Sequence, residues 1–216
     1  MFSRLSDPLG ILYTIPAILL AMMLHELAHA LTADKLGDPT PRNMGRITLD
    51  PFAHVDWVGL IMFVIMGFGW ARPVTTRPSN YKNPRTGSIL VSVAGPLSNF
   101  IWAFVFYGIY AFLVLVAGVS PSSIGMRILA PMYSVNLILA IFNLIPIPPL
   151  DGYHVLTALL PPKNMKFLWT LERYGWVVLI VLSFTGIFGT LLSYVMGFIE
   201  GTVFGNFYTF IFSLFG

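Results

Sequence analysis

His25-Glu26-Leu27-Ala28-His29 is an H-E-x-x-H motif inside an apolar run that reads as a helix, Leu9 to Leu31. On a helix the i, i+4 spacing brings the two imidazoles onto one face about one turn apart, where both can hold one metal ion. Glu26 follows the first histidine directly. In this motif that carboxylate is placed to take a proton from water rather than to bind the metal. A catalytic zinc site needs a third nitrogen or oxygen donor, and the chain has no cysteine to provide a thiolate. Asp151 is the candidate, at the end of Asn143-Leu-Ile-Pro-Ile-Pro-Pro-Leu-Asp151-Gly152. Pro146, Pro148 and Pro149 force the preceding helix to unwind, and unwound backbone at membrane depth is tolerated only beside protein or a water-filled cavity. The residues alone leave a second reading of Asp151 open, as the cap of a helix starting near Tyr153.

The elements that must carry these residues belong to a bilayer. The chain has 216 residues, 56% apolar and 10% charged, far from the composition of a soluble domain. Apolar stretches Leu9 to Leu31, Ile89 to Val119, Ile128 to Ile145 and Trp176 to Phe198 are each long enough for a tilted spanning helix. The fold class expected is an all-α polytopic membrane protein, with about four to six transmembrane helices and a small β-hairpin and re-entrant element near the active site. Residues 1–216 form one membrane-embedded domain: hairpin and re-entrant segment over 36–74, second half of the core over 86–152, C-terminal helices over 165–216. The hairpin is placed on the β-type stretch Arg46 to Leu49. The first apolar run lacks a small-residue cleavage site, so it is expected to stay in the protein.

Charge sets the topology. Lys35, Arg42 and Arg46 precede the short run Trp57 to Trp70, and Arg72, Arg77, Lys82 and Arg85 follow it. Both flanks then read as cytoplasmic, so the short run re-enters rather than crosses, the active site faces the cytoplasmic side and the N-terminus lies outside. A full crossing by a thinned or kinked segment is the alternative. The tail Val203 to Phe215 is apolar and short, and is expected to lie at the interface, a short final span being the other reading. The net charge of +3 is spread between apolar runs, so no nucleic-acid partner is expected. The lipid bilayer is.

The pairing of HELAHA with NLIPIPPLDG resembles the site-2 protease family of intramembrane metalloproteases, in its compact branch without a PDZ domain. Gly95-Pro96-Leu97-Ser98-Asn99 stands where that family has a G-x-x-x-N element. The resemblance implies one Zn2+ per chain held by His25, His29 and Asp151, with Glu26 as the base, and substrates that are transmembrane-helix proteins cut in or near the bilayer. Gly45 to Asp56 resembles a loop of the same branch, although Asp50 and Trp57 stand where asparagine and proline are expected.

Two further residues are candidates for substrate binding. Asn143 can grip a substrate backbone or polarise the scissile carbonyl, or can cap its own broken helix. His54 can offer an imidazole to the open metal position, or can be a hydrogen-bonded loop residue. Asn99 reads as a packing and hydrogen-bonding residue beside Gly95. A divalent-metal binding or transport protein, and a silent homologue that only binds membrane helices, are the competing functions. One visible ligand cluster argues against the first, and an intact Glu26 against the second.

Overall fold

The computed structural model describes residues 8–66 and 69–214. Its frame is three long helices packed on one another: α1 (Pro8–Lys35), α4 (Pro84–Leu115) and α5 (Ile124–Asn143). Small residues let them approach, with Ala17, Ala21 and Ala103 fully buried where they meet their neighbours. Pro16, Pro96 and Pro131 lie inside these helices without ending them, as membrane helices allow. The outward faces carry large apolar side chains such as Leu97, Ile101, Ile109 and Phe112, which suit contact with lipid. Between the long helices lie the short α2 (Thr40–Asn43), α3 (Trp57–Met66) and α6 (Asp151–Leu159).

After α6 come α7 (Met165–Phe184) and α8 (Ile187–Phe198), which continues through a π-helical segment (Ile199–Gly205) into α9 (Asn206–Ser213). Among the described residues five helices are long and apolar enough to cross a membrane: α1, α4, α5, α7 and the continuous run Ile187–Ser213. The expected single span from Trp176 to Phe198 is therefore two helices. Gly186 ends the first with φ 74°, a left-handed conformation that glycine adopts freely just past a helix end. The tail is likewise not a separate short element, because 203–213 belongs to a 27-residue helical run. Phe204, fully buried against Phe100, Phe104 and Tyr107, packs that run along α4. Phe188 meets Phe142 and Phe212 meets Phe112, so the run lies antiparallel to α5 and parallel to α4.

The expected β-hairpin is absent: the described residues contain no strand, and Ile47 to Leu49 forms bends. Local hydrogen bonds outcompete a ladder here. Arg46 turns inward to the Ala53 carbonyl, the Asp50 N–H donates to Thr48 Oγ1, and the His54 ring meets the Thr48 carbonyl at 3.1 Å. The short apolar run forms a single short helix. α3 has ten residues, about 15 Å of helix against a hydrocarbon core of about 30 Å. By Trp70 the chain is back beside its own first turn, so close that a Cβ on Gly59 would collide with the Trp70 carbonyl.

One end of the bundle collects the start of α4 and the end of α6, where Arg85 donates to the carbonyls of Ala158 and Leu159 at 2.6 and 2.8 Å. Ser120 lies in the loop after the other end of α4. Single cysteines at Lys82 and Lys163 should therefore react with a membrane-impermeant maleimide from one side of the membrane and a cysteine at Ser120 from the other. A uniform reaction pattern in sealed vesicles would overturn this layout.

Candidate metal centre

α1 delivers three polar side chains into the interior: His25, Glu26 and His29 are each 7% exposed. The two rings meet edge to face, 4.6 Å between centroids. Room for them is made by α4. A Cβ on Gly95 would come within 2.7 Å of His25 Nε2 and would also collide with His29 Nε2, so any larger residue would fill the space between the imidazoles. Asp151 arrives from the far side at the first turn of α6. Its helix starts after the unwound segment 144–150, which closes on itself through bonds such as Leu150 N–H to the Ile147 carbonyl at 3.0 Å. Gly152 lets that turn pack against the backbone of Leu144 and Ile145, where a Cβ would meet the Ile145 oxygen at 2.6 Å.

Hydrogen bonding fixes the imidazole tautomers. Asn99 donates its amide nitrogen to the Ala21 carbonyl at 3.0 Å and to Asn136 Oδ1 at 2.8 Å, which leaves its oxygen to accept from His25 Nδ1 at 2.6 Å. His29 Nδ1 donates to the Val91 carbonyl at 2.7 Å. With a proton on each Nδ1, both Nε2 atoms carry lone pairs. Those lone pairs face each other at 3.1 Å and face Asp151 Oδ2 at 3.1 and 3.3 Å.

Three donors converging on one point in this way suit a cation. Donors about 2.0–2.2 Å from a tetrahedral zinc lie about 3.3 Å apart, so the spacing fits. Asp151 Oδ2 is also a buried oxygen with no hydrogen-bond donor. The three residues form the one group of His, Asp and Glu donors among the described residues that could hold a metal ion.

The centre opens into a cavity of about 570 Å³, lined also by Glu26, Asn143, His154, Trp70 and Leu179. Asn143 ends α5 and returns its amide nitrogen to the Leu139 carbonyl of its own helix at 3.0 Å. His54 is fully buried in its loop and is not among the residues lining the cavity.

Residues 13–121 and 118–182 match the profile of Peptidase family M50, a range that takes in the H-E-x-x-H helix and the Asp151 turn. The chain belongs to that family. Among curated members, "Putative zinc metalloprotease YwhC" of Bacillus subtilis is 38% identical over 190 residues, covering 82% of this chain and 83% of that one. "Putative zinc metalloprotease Rip2" of Mycolicibacterium smegmatis is 32% identical over 173 residues, or 77% of this chain. The aligned part spans 64% of that relative, so Rip2 is the longer protein. No solved structure matches.

Two contributions were hidden from a sequence reading of this M50 chain. Asn99 does more than pack helices, since it holds the His25 ring, and Asn136 holds Asn99 while bonding its own Met132 carbonyl at 2.7 Å. An asparagine inside an apolar span was the available signal for Asn136. Asn99→Ala should lower zinc affinity about 10- to 100-fold, as loss of such ligand-orienting partners does. Competition with a chromogenic chelator on the purified protein measures this, and unchanged affinity would show that the ring needs no anchor.

Proposed function

We infer that the chain is an intramembrane zinc metalloendopeptidase, with His25, His29 and Asp151 holding one Zn2+ and Glu26 as the general base. The observation that carries this reading is the convergence of His25 Nε2, His29 Nε2 and Asp151 Oδ2 on one point beside a buried glutamate. When bound, zinc supplies Lewis-acid chemistry at the scissile carbonyl and a water acidic enough to ionise near neutral pH. The chain's own part is proton traffic and positioning. Glu26 takes the water's proton on its carboxylate and returns it to the nitrogen of the leaving amine. Its Oε2 already accepts the Val74 N–H at 2.8 Å, which orients the group.

The substrates are proposed to be transmembrane-helix proteins. A helical amide is shielded by its own hydrogen bonds, so the substrate must unwind before cleavage. With no hairpin among the described residues, the part of the chain suited to meet an unwound substrate is the irregular segment 69–77, which lines the cavity through Trp70, Pro73, Val74 and Thr76. Asn143, on the same cavity wall, has its amide oxygen available to a substrate N–H. His54 would reach a substrate only after a movement of its loop. We place the active site toward the cytoplasm and the N-terminus outside, on the clustering of basic residues around 35–46 and 72–85.

Neither competing function has comparable support. Transport requires successive sites along a path. Among the described residues there is one ligand group, and its neighbour Glu26 is the residue that hydrolysis requires. Glu26→Gln should keep its metal and cleave a single-span reporter about 10²- to 10⁴-fold more slowly, the usual worth of a general base. Gel analysis of reporter cleavage alongside metal content checks this, and undiminished cleavage would remove Glu26 from the chemistry.

A further inference from the structure

Residues 69–77 leave α3, carry no regular secondary structure and run along the cavity to the short 3-10 turn Pro78–Asn80. A segment of this kind has no ladder or helix to hold it, yet it delivers the Val74 N–H to Glu26 Oε2 at 2.8 Å. Something must fix it at both ends. At the α3 end, the Arg72 N–H donates to the His54 carbonyl at 2.8 Å, inside the loop that Arg46 braces.

The other end is held by Asp38, a carboxylate that the chemistry does not use. Asp38 is fully buried. Its Oδ2 accepts the Arg77 N–H at 2.6 Å, and its Oδ1 accepts the Asn80 side-chain amide at 2.7 Å. Thr40 adds its N–H at 3.1 Å and its hydroxyl at 2.6 Å, also to Oδ1. A buried carboxylate is tolerable only with such a set of donors. Burial pushes the Asp38 pKa up, while the hydrogen bonds from Thr40, Arg77 and Asn80 pull it below the ordinary value, so the charge is kept.

Asp38 is in turn tied to α1. Its N–H donates to the Ala33 carbonyl at 3.0 Å, and Gly37, at φ 106°, turns the chain so tightly that a Cβ there would sit 3.2 Å from the Asn80 oxygen. Glu26 and the Val74 donor are thus both referenced to the same helix, Glu26 as a residue of it and Val74 through the latch at its end.

We propose that Asp38 is a positioning residue for peptide-bond hydrolysis: by latching residues 77–80 to the end of α1, it keeps the Val74 N–H on one oxygen of Glu26 and leaves the other free to take a proton. The proposal rests on Glu26 being the base. A carboxylate pinned through one oxygen presents the second in a fixed direction, and loss of that orientation slows the chemical step without weakening substrate binding. Asp38 lies past the end of α1 and its carboxylate bonds none of the metal ligands, so its effect should appear in kcat.

The test uses the full-length zinc-loaded protein in detergent and a single-span reporter that the wild type cleaves. Asp38→Asn loosens the latch, Val74→Pro removes the donor, and the double variant does both. Each single substitution should lower kcat about tenfold, with KM and bound zinc per chain within about twofold of wild type. The double variant should fall no more than about twofold below the worse single one, because both break the same link. Wild-type kcat in a zinc-loaded Val74→Pro protein would overturn the proposal, even if Asp38→Asn misfolds. So would effects that multiply in the double variant, or zinc loss that accounts for the whole decline. Activity above wild type in Asp38→Asn would show instead that the segment is a plug. Glu26→Gln, run alongside, separates the two levels: if it cleaves normally, the base assignment fails whatever Asp38 does.

Discussion

Three lone pairs aimed at one point are an unstable arrangement until a cation sits among them, and the interior of this protein is organised around tolerating that. His25 Nε2, His29 Nε2 and Asp151 Oδ2 lie 3.1 to 3.3 Å apart. In a membrane span each ionisable side chain alone costs about 2.5 to 3.5 kcal/mol on insertion scales. The cluster persists because each member is held from behind: His25 by Asn99, His29 by the Val91 carbonyl, and Asp151 by the first turn of α6. The metal chemistry of the family and the packing of α1, α4 and α5 are therefore one problem. The glycine that admits the imidazoles and the asparagine that orients one of them lie one turn apart on α4.

The second constraint is that catalysis needs irregular backbone where lipid forbids it. Among the described residues irregular backbone borders the cavity twice, at 69–77 and at 144–150. Each is fixed by a few specific bonds instead of a ladder: Asp38 and His54 at the ends of the first, local turn bonds within the second. α7 covers the remaining side, with Trp176 against Trp70 and Gly175 against Pro148.

How much of this was legible in the sequence follows from how local each signal is. Asp151 was left open by the residues alone and came as a ligand from the resemblance, whereas the His25 to His29 spacing is a property of one helix turn and could be read directly. Span lengths were legible for α1, α4 and α5 for the same reason. The boundary between α7 and α8 was missed because a single Gly186 in an apolar run gives no contrast in hydropathy, although its left-handed φ decides the chain path. The hairpin was over-read from Arg46-Ile-Thr-Leu49, whose β propensity loses to bonds made by Arg46, Thr48 and His54 with their own loop. Nothing in the sequence could join Asp38 to residues 77–80, since that contact exists only after α1 and α4 are packed.

The central claim is that two imidazoles and one carboxylate share a single zinc ion. X-ray absorption at the zinc edge, on the purified full-length protein and its Asp151→Ala variant, tests it directly. The account predicts a first shell of nitrogen and oxygen at about 2.0–2.2 Å with imidazole scattering beyond it, and a lost oxygen or lost metal in the variant. A spectrum without imidazole scattering, or one that Asp151→Ala leaves unchanged at full occupancy, would contradict it.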